Sequence, residues 1–304
     1  MKRGLALGCG GPLGAAWTVG VLAALAEEEG WDPREADAII GTSAGAEYGA
    51  MLAAGVPVDD MVSAYRESAA APDWLTGHLE AAPGFRPPRP ARRPMAPRLA
   101  LRRDLPRLTR VAGLMPAGRD SHDRMLGLGR RLAGDSPWVD HDALFVVAVD
   151  LSSGERVAFG SPTAPETGLP GALAASWAVP ACYPPVRIGG RRFIDGGAAS
   201  TASVDLLVDL EPGLDEVIVI APMSSSPVPR PGNLAMKFEA GMRRQMSFGL
   251  DDECARVEAR GVRLRRFEMD AEALKLAGPN FNNVRRRKAV FEHSFDTHGQ
   301  ILKG

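Results

Sequence analysis

The chain has 304 residues, 45% hydrophobic and 24% charged, with a formal net charge of −1. That is enough apolar material for one sizeable core, and the balanced charge gives no reason to expect a nucleic-acid partner. Cys9, Cys182 and Cys254 are odd in number and widely spaced, so neither a disulfide framework nor a zinc site is suggested and a reducing compartment fits.

Met1-Lys2-Arg3 followed by apolar residues and Ala24-Leu25-Ala26 imitates a secretory signal. Gly8, Gly10, Gly11, Pro12 and Gly14 interrupt its hydrophobic region, so a cytoplasmic protein is expected instead. No apolar run reaches transmembrane length. Gly4 to Leu7 reads as a buried strand, Gly8 to Gly14 as a glycine loop, and Ala15 to Glu28 as a helix. A dinucleotide-binding loop has similar spacing but wants an acidic residue at the end of the next strand. Here that strand, Ala38 to Ile40, ends in Gly41-Thr42-Ser43.

Gly41-Thr42-Ser43-Ala44-Gly45 places a serine on a turn that closes an apolar run and opens a helix, the pattern of a nucleophile elbow. Gly41 and Gly45 are needed because the serine takes a strained conformation and neighbouring segments pass too close for a Cβ. The following helix points free N–H groups back at Ser43, where they favour the negative charge that acyl transfer develops. Helical patterns run from Ala44 to Ala54 and from Val58 to Ala71.

From Pro72 the composition changes. Arginines from Arg86 to Arg131 are opposed only by Asp104, Asp120 and Asp123, with few apolar runs between them. Residues 72–134 therefore read as a lid-like insertion, a lid or a mobile surface arm within a single domain spanning 1–304. An anionic membrane surface or a phosphate-bearing substrate would suit its charge, and a solvated loop with no partner is the plain alternative.

Beyond it, Leu144 to Asp150 is a buried strand, Arg156 to Phe159 pairs with it through Ser152-Ser153-Gly154, and Gly171 to Ala178 is a short helix. A hairpin through Gly189-Gly190 leads to the strand Arg192 to Ile194, which ends in Asp195-Gly196-Gly197. A helix (Ala202 to Leu210), a strand (Glu216 to Ile220), a long helix (Leu234 to Ala259) and a strand (Arg263 to Phe267) complete an alternating α/β pattern.

A serine nucleophile needs a base. The five histidines are His78, His122, His141, His293 and His298, and a Ser-Asp-His order ending at His298 is conceivable. Only two strands precede Ser43, too few for an α/β-hydrolase sheet, and His293 and His298 fall on a charged terminal helix where surface histidines are expected.

The glycine loop Gly8 to Gly14, the elbow Gly41 to Gly45 and Asp195-Gly196-Gly197 resemble, in order, the motifs of bacterial patatin-like phospholipases. Ala174 to Pro180 with Tyr183-Pro184-Pro185 resembles the stretch preceding that family's aspartate. The resemblance implies a three-layer α/β/α fold with a mostly parallel central sheet and a Ser43–Asp195 dyad that hydrolyses acyl esters of lipids. Ser43 would be nucleophile and Asp195 base. Amides of Gly10 and Gly11, helped by Cys9 or Ala44, would form the oxyanion hole, with Gly196 and Gly197 allowing the turn after Asp195. No metal or organic cofactor is implied. The family's loop commonly carries arginine where this chain has Leu13, leaving the basic insertion as a candidate source of that charge. Peripheral contact with an anionic membrane is expected through the same segment. The competing reading is a catalytically weak lipid or acyl-carrier binding protein on the same fold.

Overall fold

The computed structural model describes residues 1–82, 93–225 and 234–303. In chain order, β1 (Arg3–Leu7) leads into α1 (Gly11–Glu29), whose end at Gly30 takes a left-handed conformation. Then come β2 (Ala38–Thr42), α2 (Ala44–Ala53) and α3 (Val58–Tyr65). The helical pattern extending to Ala71 is cut short just after Tyr65, because Glu67 adopts a positive φ of 59°. The arginine-rich segment carries α4 (Asp73–Glu80), a 3-10 turn (Pro97–Leu101), α5 (Arg107–Leu114) and α6 (Asp123–Ala133). Residues 83–92 of that segment lie outside the described residues.

The chain continues through β3 (Leu144–Asp150), β4 (Arg156–Phe159), α7 (Leu169–Ser176), β5 (Val186–Ile188) and β6 (Arg191–Asp195). Gly189 and Gly190 both have positive φ, which a two-residue hairpin turn requires. α8 (Val204–Leu210), β7 (Glu216–Ala221), α9 (Leu234–Glu258), β8 (Arg263–Glu268), α10 (Ala271–Ala277) and α11 (Arg287–Lys303) complete it.

The strands form one sheet in the order β5-β6-β3-β2-β1-β7-β8, with β4 also paired to β3. The five strands β3, β2, β1, β7 and β8 are mutually parallel, whereas β4, β5 and β6 join antiparallel. Side-chain alternation along the central strands creates two apolar layers. Leu5, Leu7, Ile39, Ile218 and Ile220 face a core shared with α1, α2 and α11. Ala6, Ile40, Val147, Val217 and Val219 face the other, closed by α8 and by Leu250, Cys254 and Val257 of α9. The result is a three-layer α/β/α arrangement.

α11 lies closely along α1. A Cβ on Gly20 would sit 2.6 Å from that of Ser294, whose hydroxyl donates to the Trp17 carbonyl at 2.7 Å. α6 is built into the main core through Met125 and Leu128, and a Cβ on Gly129 would come within 2.5 Å of Pro170. Its charge density had concealed a helix with one apolar stripe.

Candidate active site

β2 and β6 meet end to end on one edge of β3. Thr42, the last residue of β2, pairs with Val147, and Asp195, the last residue of β6, pairs with Ala148. Val146 to Val149 also pair with β4, which occupies the opposite edge, so β2 and β6 share the remaining one. Two strands running toward each other thus deliver Ser43 and Asp195 to the same place. The Ser43 hydroxyl lies close enough to the Asp195 carboxylate to favour its charged form, and the carboxylate accepts from the Gly197 amide at 2.7 Å.

Both groups are buried, Ser43 3% and Asp195 5% exposed. Burial disfavours the charged carboxylate and pushes Asp195 up to about 6, while the nearby Ser43 hydroxyl and the Gly197 amide pull the other way. A carboxylate so poised can accept a proton from a neighbouring hydroxyl more readily than one in water.

Ser43 sits at φ 56°, ψ −118°, a costly conformation for a residue with a side chain. Its glycine neighbours are sterically required. A Cβ on Gly45 would lie 2.0 Å from the Leu7 carbonyl oxygen, and one on Gly41 would lie 2.5 Å from Ala46 Cα. The elbow is fastened from below by Ser176, whose hydroxyl accepts from the Ser43 amide at 2.8 Å and donates to the Val147 carbonyl at 2.7 Å. Sequence reasoning assigned Ser176 no role. The signal available was its place in the stretch preceding Asp195.

The glycine loop packs on the turns that carry both members of the pair. Its start packs on Gly45, and Cys9 Sγ would be 3.0 Å from a Cβ on Gly197. The Gly8 amide donates to the Ile220 carbonyl at 2.8 Å, and Leu13 to the Phe281 carbonyl at 3.1 Å. Cys9 donates to the Thr201 carbonyl at 2.8 Å, so its amide is committed and does not belong among the oxyanion donors where it was expected. Gly10, Gly11 and Ala44 amides have no partner among the described residues. Gly11 adopts φ 57°, natural only for glycine. The Cys9 thiol is pushed up to about 12 by burial and by the neighbouring Asp195 charge, which makes it unreactive packing.

A positive charge stands near this loop, but it comes from α9. Arg243 is fully buried and donates to the carbonyls of Pro222 at 2.8 Å and Ser224 at 3.3 Å, to Glu239 at 2.8 Å, and lies over the Phe281 ring. Pro222 in turn packs so closely on Gly10 that a Cβ there would lie 2.8 Å away, and it is in tight contact with Gly14. The guanidinium is close enough to oppose the rise in the Cys9 pKa. Thus the charge absent at Leu13 has a counterpart far along the chain.

Behind the elbow, α2 carries Glu47, buried and bonded to Arg124 of α6 through two 2.9 Å contacts and to His78 of α4 at 2.6 Å. Burial would raise the carboxyl, but Arg124 and His78 more than offset it and bring it to about 2. Arg124 stacks over Trp177 at 4.7 Å.

Every histidine is engaged elsewhere. His78 bonds Glu47, His122 the Pro184 carbonyl, His141 the Ala36 carbonyl, His293 Asp270, and His298 the Ser294 carbonyl. His298 is not the surface residue expected from the charge of its helix. It is buried against Trp17 and Phe267, and burial lowers its pKa. Among the described residues no cluster of histidine, cysteine and carboxylate groups is placed to hold a metal ion, and no helix is long and apolar enough to cross a membrane.

Among solved structures, VipD from Legionella pneumophila matches with a TM-score of 0.45 and 15% identity, covering 99% of this chain and 67% of that one. No curated protein matches. The patatin-like phospholipase profile matches residues 5–208, a span that includes the glycine loop, the elbow and the Asp195 turn. The chain belongs to the patatin-like phospholipase family, whose members are lipid acyl hydrolases.

Proposed function

We propose that the protein is a serine acyl-ester hydrolase of the phospholipase A, lysophospholipase or esterase type, working through a Ser43–Asp195 dyad. The contact between the Ser43 hydroxyl and the desolvated Asp195 carboxylate carries this reading. Ser43 Oγ attacks the ester carbonyl as Asp195 takes the hydroxyl proton, giving a tetrahedral intermediate. Its oxyanion is received by the uncommitted amides of Gly10 and Gly11, with Ala44 at the helix N-terminus, each donor typically contributing about 3 kcal/mol. Collapse expels the alcohol, which leaves with the proton held by Asp195, and forms an acyl-enzyme. Asp195 then takes a proton from water, whose oxygen attacks the acyl carbon, and returns that proton to Ser43 Oγ as the acyl–oxygen bond breaks and the fatty acid leaves.

The acyl chain has an apolar surface at hand. Cys9, Met223 and Met246 cluster with the half-buried Leu108, Met242 and Phe281 beside the glycine loop. Methionines are adaptable and suit a flexible chain. Replacing Ser43 with alanine should abolish p-nitrophenol release from acyl esters while circular dichroism and melting show a folded protein. Unchanged turnover in that variant removes the proposal. A fluorophosphonate should label Ser43, because only an activated serine reacts, and a protein that merely binds lipid would stay unlabelled.

A further inference from the structure

We propose that the surface formed by the Pro97–Leu101 turn and α5 is a docking face for anionic phospholipid bilayers, set against the turn that follows Asp195; this rests on the hydrolase reading above. α5 has two faces. One is packed toward the dyad: the Thr109 hydroxyl donates to the Ala198 carbonyl at 2.9 Å, three residues past Asp195, and Leu108 joins the cluster of Cys9, Met223 and Met246. The other is solvated and carries Val111 and Leu114 beside Arg107, with Leu101 of the preceding turn next to it. Leu101 is 82%, Leu114 50% and Val111 42% exposed. Half of the exposed large hydrophobic residues in the described part of the chain therefore fall in this short stretch, which is more than the scatter expected of an ordinary surface.

Arg107, Val111 and Leu114 share one helix face by their spacing of four and three. The Arg110 guanidinium bonds the Ala100 carbonyl, bringing Leu101 and its neighbours alongside the helix. Between residues 97 and 114 the chain carries five arginines against a single aspartate. Arg102 pairs with Asp104, whereas the exposed Arg98, Arg103 and Arg107 make no ion pair among the described residues. An apolar ridge flanked by unneutralised arginines matches a negatively charged headgroup layer over hydrocarbon. Seated there, α5 would hold the Asp195 turn next to the lipid from which an acyl ester must be withdrawn.

The test uses the Ser43→Ala protein, which cannot consume the vesicles, sedimented with phosphatidylcholine vesicles and with phosphatidylcholine–phosphatidylserine vesicles. Partition should be about tenfold stronger on the mixed vesicles and fall with added salt. Arg103→Gln with Arg107→Gln should reduce binding to the mixed vesicles about thirtyfold, each arginine being worth about 1 kcal/mol at such a surface. Val111→Ser with Leu114→Ser should weaken binding to both vesicle types. With Ser43 restored, both variants should hydrolyse a soluble short-chain p-nitrophenyl ester at the wild-type rate. Equal partition on the two vesicle types, or binding indifferent to both variants, overturns the docking face. Vesicle binding intact with no ester turnover in the wild type would instead overturn the hydrolase reading and leave the docking face standing.

Discussion

Thr42 and Asp195 stand opposite consecutive residues of β3, one ending a strand that runs with β3 and the other a strand that runs against it. The separation of Ser43 and Asp195 is therefore set by the sheet's own hydrogen bonds. Loop conformation contributes little to it.

Asp195 titrates near 6 in the folded chain against 3.8 as an ordinary carboxyl. The folded state holds a proton there that the unfolded state has released, so the stability linked to this group is present below about pH 3.8 and lost as pH rises through about 6. Above that, carrying the buried charge costs about 3 kcal/mol. Asp195→Asn should therefore be inactive yet more stable than wild type at pH 8, with the gap closing near pH 4. Denaturant melts at the two pH values measure it, and ester turnover of the wild type should rise through an inflection near pH 6.

Glu47 has the opposite dependence. Its folded value of about 2 lies below the ordinary 4.5, so its contribution is full above pH 4.5 and is lost as pH falls toward 2. Glu47→Gln should flatten the acid limb of stability in that window. Arg124→Met leaves Glu47 buried with its guanidinium partner gone and should cost about 3–5 kcal/mol at pH 7. Equal melting points for Arg124→Met and wild type would show that the pair is not held as described.

The elbow separates two kinds of substitution. Gly45→Ala drives a methyl into the Leu7 carbonyl, a backbone atom that cannot yield, and should prevent stable folding in a soluble-expression and melting assay. Ser43→Gly relieves a positive φ and should raise stability by about 1 kcal/mol while abolishing turnover.

Arg243 is a positioning residue for the glycine loop. Arg243→Met should lower kcat at least tenfold with little change in KM if the glycine-loop amides act as proposed, as oxyanion donors used in the transition state. Cys9→Ala should change kcat by less than threefold, because the committed Cys9 amide is main chain and the thiol, pushed up to about 12, keeps its proton at working pH. Iodoacetamide at pH 8 should leave Cys9 unmodified in the folded protein. Labelling of Cys9 there would contradict its burial.

Much of the site was legible in local sequence because glycines mark backbone constraints directly. Gly41, Gly45 and Gly11 each answer a contact or a torsion that a side chain would violate. Asp195 came from the resemblance, since nothing local says which of many carboxylates a β3 edge will bring to Ser43. Ser176 and Arg243 escaped for the same reason: their partners are main-chain groups distant in sequence. His298 was misplaced because the charges on α11 hide a stripe of Val290, Phe291, Ser294 and His298 that α1 covers. The arginine-rich segment concealed α5 and α6 because only one narrow side of each is apolar, and residues 83–92, also assigned to it, lie outside the described part.

The chain departs from the sheet at Thr42 and rejoins it at Leu144, in the adjacent strand, after about a hundred residues of excursion. Such a detour is tethered at both ends by the same ladder, and lengthening or rewriting it costs little in closure entropy. Retailoring the outward parts of that excursion is thus a route by which descendants of this chain could change the surfaces they visit while inheriting the reaction untouched.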